Sequence, residues 1–197
     1  MTATEDLMRE HGVLRRALIV YSAAATKLRD KSSAVPPEAL HNTAKLFRTF
    51  GENYHERMLE EDHIFPKLAN LKGQASRYVG VLIYQHERGR EITGYILAST
   101  QGSKIGATKA ESLARVMESF VWMYHAHAGI EDTVVFPAWK STLSSAQLME
   151  MTDSFEDIEH QQFGEDGFEM ALRQISEIEA TLGLADLAQF TAPPPPK

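Results

Sequence analysis

The chain has 197 residues, 43% hydrophobic and 24% charged, with a net charge of −7 and no cysteine. That length suits one generous domain or two small ones with a real core, and the acidic balance, without a basic block, speaks against a nucleic-acid partner. Without cysteine there are no disulfides, thiol nucleophiles, iron–sulfur clusters or thiolate metal sites, so any metal must be held by imidazole and oxygen.

Apolar residues at helical intervals (Leu7, Leu14, Leu18, Tyr21) predict a helix from Glu5 to about Leu28, followed by a polar stretch from Arg29 to Ser33. Pro36 and Pro37 open a second helix expected to reach about Phe65, where Pro66 bends or stops it. A third helix is expected over Gln74–Ser99, closed by a loop at Gly102, and a fourth from about Lys109 to Phe136, ending at Pro137. Ser144 reads as the N-cap of a helix to about Phe163, and the Gly164–Gly167 turn leads into a last helix ending near Leu182–Gly183. The closing TAPPPPK reads as an extended tail. No segment alternates with period two long enough to make a strand. No run of eighteen apolar residues occurs, and the start, MTATEDLMREHGVLRR, does not look like a signal peptide, so a cytoplasmic protein without membrane contact is expected.

An internal repeat organises these elements. Glu60 to Pro66 matches Glu131 to Pro137, with the proline of a Phe-Pro pair six residues after the glutamate in both; His55 and His127 stand just upstream, and Glu10-His11 and Gln85-His86 lie on the helix that opens each half. Two such hairpins predict an all-α protein: an antiparallel four-helix up-and-down bundle over 1–143, appended C-terminal helices over 144–185 packing on it, and the Pro-rich tail over 186–197.

His127 and Glu131 are four apart and share a helix face. An imidazole and a carboxylate so placed suit iron, manganese or zinc, and the carboxylate can bridge two ions, although lone pairs of this kind are common on solvated helices. Phe120, Met123 and Tyr124 lie on the same face, with Val134 and Val135 on its flanks. A carboxylate in such surroundings needs partners. The repeat brings four histidines and two glutamates towards one axis.

On these residues the chain resembles the hemerythrin-like proteins with the HHE cation-binding domain, over roughly Glu5 to Pro137. The resemblance implies His11, His55, His86 and His127 as terminal ligands, with Glu60 and Glu131 bridging two iron ions joined by an oxo or hydroxo group; manganese or zinc are the alternatives. It also implies a small ligand, dioxygen, peroxide or nitric oxide, and admits a weak peroxidase- or catalase-like activity. A metal- or redox-dependent regulatory module and a bundle held by structural zinc are the other readings. Oligomeric state is open, a homodimer being one form.

Two departures from the family pattern stand out. His55 and Glu60 are five apart where the pattern has four, which predicts a π-bulge between them; in a regular helix Glu56 or Glu60 would coordinate without its companion histidine. Four residues after His86 stands Arg90, where oxygen carriers have a second histidine. That shifts the expectation from oxygen carriage towards redox chemistry or sensing.

Among the other candidates, His125 should point away from the metal face, His63 should lie at the bundle end, His41 should be solvated, and His160 is a minority candidate for the site. Tyr54, Tyr84 and Tyr124 neighbour the histidines, with core packing favoured for at least two of them. Met8, Met58, Met117 and Met123 read as core filler.

Overall fold

The computed structural model describes residues 1–30 and 35–196, and every regular element in them is a helix. Helix α1 (Ala3–Asp30) carries Glu5 and Asp6 in its first turn and Lys27 and Arg29 in its last, the arrangement its macrodipole favours. Its buried stripe includes Leu7, Leu14, Leu18 and Tyr21, and also Glu10 and His11. The polar stretch expected to Ser33 falls largely outside the described residues, as does Lys197 at the end of the tail.

Helix α2 (Pro37–Leu46) starts on a proline, whose missing N–H costs nothing in a first turn. From Phe47 to Ile64 the chain is π-helical, and α3 (Phe65–Ala69) follows without a break. The expected bulge between His55 and Glu60 thus exists as part of a longer π segment. Pro66 does not end the helix. The Phe65 N–H bonds the Glu60 carbonyl five residues back, and this change of register just ahead of Pro66 absorbs a residue with no N–H to offer.

Helix α4 spans Gln74–Ser99 as expected, and α5 spans Ala107–Ile130. A second π segment, Glu131–Val135, leads into α6 (Phe136–Ser141), with Phe136 N–H bonding the Glu131 carbonyl. The four-residue spacing of His127 and Glu131 gave no sign of it, because the widening begins at Glu131, beyond that pair. The repeat is therefore also a repeat of backbone: each Glu…Phe-Pro run is one π turn handing over to an α turn.

Ser144 caps α7 (Ser145–Phe163) in a reciprocal box with Gln147, and Gly164 closes it in the left-handed region at φ 69°. Asp166 caps α8 (Gly167–Leu182), which ends on left-handed Gly183.

Helix α1 packs most extensively on α5, α2 on α4, and α4 on α5, while α7 and α8 lie on α1, α2 and the long π segment. The long elements enclose a core of Leu14, Leu18, Tyr21, Phe47, Phe50, Leu113 and Phe120. Helix α8 buries Ala171, Ile175, Ile178 and Leu182, and is pinned where Arg16 forks onto Glu179 at 2.9 and 2.5 Å. Helix α7 is anchored by Phe155, stacked on Trp139 at 5.8 Å with planes 2° apart. No helix among the described residues is long and apolar enough to cross a membrane.

Candidate metal centre

His11 comes from α1, His55 and Glu60 from the long π segment, His86 from α4, His127 from the end of α5 and Glu131 from the start of the second π segment; all six are buried. The Nε2 atoms of His11 and His55 lie 3.0 Å apart, and those of His86 and His127 3.1 Å apart. The two glutamates lie between these pairs. Glu60 places Oε1 3.5 Å from His55 Nε2 and Oε2 3.3 Å from His86 Nε2. Glu131 Oε2 is 3.1 Å from His127 Nε2 and 3.5 Å from His11 Nε2, with Oε1 3.9 Å from His86 Nε2.

Among the described residues three overlapping donor groups share this space: Glu60, His86, His127 and Glu131 form one, His11, His55 and Glu60 a second, and Glu56, Glu61 and His86 a third. Nitrogen and oxygen atoms so spaced are what the first shell of a metal with bonds of roughly 2 Å would present. All four carboxylate oxygens of Glu60 and Glu131 lack a hydrogen-bond partner. Buried carboxylates are costly unless paired or bound to metal, so the orphaned oxygens fit a pair of cations between them.

The outward ring nitrogens are fully engaged. His55 Nδ1 donates to Glu10 at 2.5 Å, His11 Nδ1 to Asp132 at 2.7 Å, His86 Nδ1 to Glu61 at 2.8 Å and His127 Nδ1 to Gln85 at 2.9 Å. With a proton held on Nδ1, each imidazole turns its Nε2 inward, the atom that would ligate a metal. Arg15 in turn holds Asp132, and Arg90 holds Glu61 at 2.5 Å while standing 3.5 Å from Glu56. Arg15 follows His11 by four residues and Arg90 follows His86 by four. The arginine that interrupts the oxygen-carrier pattern is therefore one of an equivalent pair that supports the site from outside.

The charges of the donor set are strongly interdependent. Burial pushes the Glu131 carboxyl up to about 8, helped by the charge of Glu60. Burial acts on Glu60 in the same direction, but His55 and His86 outweigh it and hold that carboxyl well below its ordinary value. His127 falls to about 4 through burial and the neighbouring His86. Glu60, Glu131 and the histidines around them thus influence one another's protonation, and a metal bound there would displace protons.

The secondary candidates separate clearly. His125 and His160 are exposed, and His160 lines a surface pocket with Asp6 and Glu156 instead of reaching the site. His63 packs on Phe155, and His41, half-buried where solvation was expected, meets Thr100 at 3.1 Å. Tyr54 and Tyr124 are buried, but Tyr84 is 58% exposed. Met8 is also exposed, since its position on α1 faces away from the core. The orienting groups Glu10, Glu61, Gln85 and Asp132 were not singled out from sequence. The signal was present, since each directly adjoins a ligand and recurs in the repeat.

The family described as Hemerythrin HHE cation binding domain matches residues 2–110, more than half of the chain. That stretch contains His11, His55, Glu60 and His86; His127 and Glu131 lie beyond it. Proteins described as uncharacterized in Mycobacterium tuberculosis and Mycobacterium bovis are 41% identical over 192 residues, covering 97% of this chain and 74% of their own length. No solved structure matches. The chain belongs to the hemerythrin HHE cation-binding family.

Proposed function

We propose that the protein is a non-haem diiron protein built as an antiparallel four-helix bundle, which meets dioxygen, peroxide or nitric oxide in oxidative-stress handling, iron homeostasis or sensing. His11 and His55 would hold one ion, His86 and His127 the other, with Glu60 and Glu131 between them. The observation that carries this reading is the set of four orphaned carboxylate oxygens facing four inward-turned Nε2 atoms.

Imidazole and carboxylate are the ligands expected for iron in a helical bundle. A closed tetrahedral zinc site would use four donors, whereas here two carboxylates and four imidazoles would be available to a pair of ions. Iron would supply redox change and open coordination positions for a small oxidant. The chain's own contribution is to fix the four imidazoles through their Nδ1 partners and to keep the centre dry. Arg90, engaged with Glu61, puts no further imidazole at the position four residues after His86. This favours redox chemistry or sensing over reversible oxygen carriage, with a weak peroxide-decomposing activity as one outcome.

Metal analysis, an optical spectrum and anomalous scattering at the iron edge test the reading together. Two irons per chain with oxo-to-iron charge-transfer bands support it. A colourless protein that takes up only zinc would sink it.

A further inference from the structure

The two ends of the candidate centre differ in chemistry. One is closed by aromatic rings: Phe136 stacks on His11 and Phe65 on His86, each at 5.5 Å with planes 25° and 22° apart. Both phenylalanines belong to the Phe-Pro repeats, and α3 and α6, which carry them, touch.

The other end is polar and buried. Tyr124, only 2% exposed, sets its ring 5.4 Å from His127 and 6.4 Å from His11, so it reaches across both histidine pairs, and its hydroxyl has no partner. Behind it Glu52 and Thr93 are buried against each other. Arg48 pairs with Glu52 at 2.8 Å. Glu56, one turn before Glu60, stands 3.5 Å from Arg90 and groups with Glu61 and His86. Phe47 and Phe120 back this wall, 5.7 and 5.6 Å from the Tyr124 ring. Buried polar groups are normally satisfied, so a tyrosine hydroxyl left unpaired beside both histidine pairs points to something that arrives there. A phenol is protonated near neutral pH and is therefore a donor.

We propose that Tyr124 is the hydrogen-bond donor to the small ligand of this centre, which binds on the side of the histidines where Tyr124 and Glu56 lie. The centre then favours ligands whose outer atom accepts a hydrogen bond, such as peroxide or azide, over neutral diatomics such as nitric oxide. This rests on the diiron reading and adds the class of ligand to it. Tyr124 makes the contact itself, and Glu56 stands by to accept from a ligand that carries a proton.

The test is an azide titration of the iron-loaded full chain, followed optically, for the wild type, Tyr124→Phe and the exposed-site control Tyr95→Phe. Loss of one hydrogen bond to an anionic ligand predicts about tenfold weaker azide binding in Tyr124→Phe. Iron content and nitric oxide affinity should stay as in the wild type, and Tyr95→Phe should not differ from it. Equal azide affinity in iron-loaded wild type and Tyr124→Phe overturns the proposal while leaving the diiron reading intact. A wild type that takes up no iron overturns both. A second measurement does not depend on a folded variant: the vibrational band of azide on the wild-type protein should shift on transfer to D2O, and no shift would also overturn it.

Discussion

Glu10 receives the Nδ1 proton of His55 at 2.5 Å, although in the sequence it stands beside His11, whose own Nδ1 proton goes to Asp132 on another element. The second half repeats the exchange, with Gln85, the neighbour of His86, serving His127, while Glu61, the neighbour of Glu60, serves His86. The residue next to a ligand thus orients a ligand on a different helix. Removing one such group disturbs two elements while leaving all six proposed ligands in place.

Glu10→Ala and Asp132→Ala should each lower metal affinity roughly 10- to 100-fold without changing helix content, because each frees an imidazole to rotate or change tautomer. Chelator competition reads this directly, and wild-type affinity in both variants would refute the orienting role. Arg15→Ala and Arg90→Ala act one contact further out and should cost less than the carboxylates they hold.

Metal loading should stabilise the fold by mass action. At a free metal concentration about a hundred times Kd the gain is about 2.7 kcal/mol, or roughly 5–11 °C in Tm for a chain of this size. His127→Ala and Glu131→Ala should lose both the bound metal and this rise. His41→Ala should keep both, since His41 pairs with Thr100 instead of lining the centre. Calorimetry with and without iron separates these outcomes.

Trp139 is fully buried and carries the stacking contact to Phe155 that seats α7. Trp139→Ala should destabilise the protein by roughly 3–5 kcal/mol. Hydrogen exchange should show the loss concentrated in α7, with α4 less affected. Uniform loosening would mean that α7 is not held through this stack.

The seam between α1 and the α7–α8 hairpin carries a pH dependence of its own. Burial and then Glu10 raise the Asp6 carboxyl to about 6, and burial raises Glu159 to about 7 against the hydrogen bond it accepts from the Phe168 N–H. Both folded values lie above the unfolded carboxylate range of about 4. Their stabilising contribution is therefore complete below that range and is lost as pH rises through about 6 and 7. A variant with Asp6→Asn and Glu159→Gln should gain in Tm relative to the wild type as pH goes from 5 to 8. A constant difference across that interval would show that these groups do not titrate as described.

The sequence alone determined the helical class, most helix bounds and the six candidate ligands, because the histidines, glutamates and Phe-Pro pairs recur at nearly fixed spacing and a 3.6-residue period is a local property. The extra residue between His55 and Glu60 even announced a wider turn. What spacing does not encode is which residues meet across helices. That the neighbours of one ligand orient another, that Arg90 and Arg15 are equivalent braces, and that His160 faces out while Glu159 faces in depend on helix rotation and packing. The same holds for Tyr124, whose position in the sequence suits core packing as well as ligand contact. Only the tertiary structure leaves its hydroxyl unpaired beside the two histidine pairs, because an unsatisfied group is defined by what surrounds it.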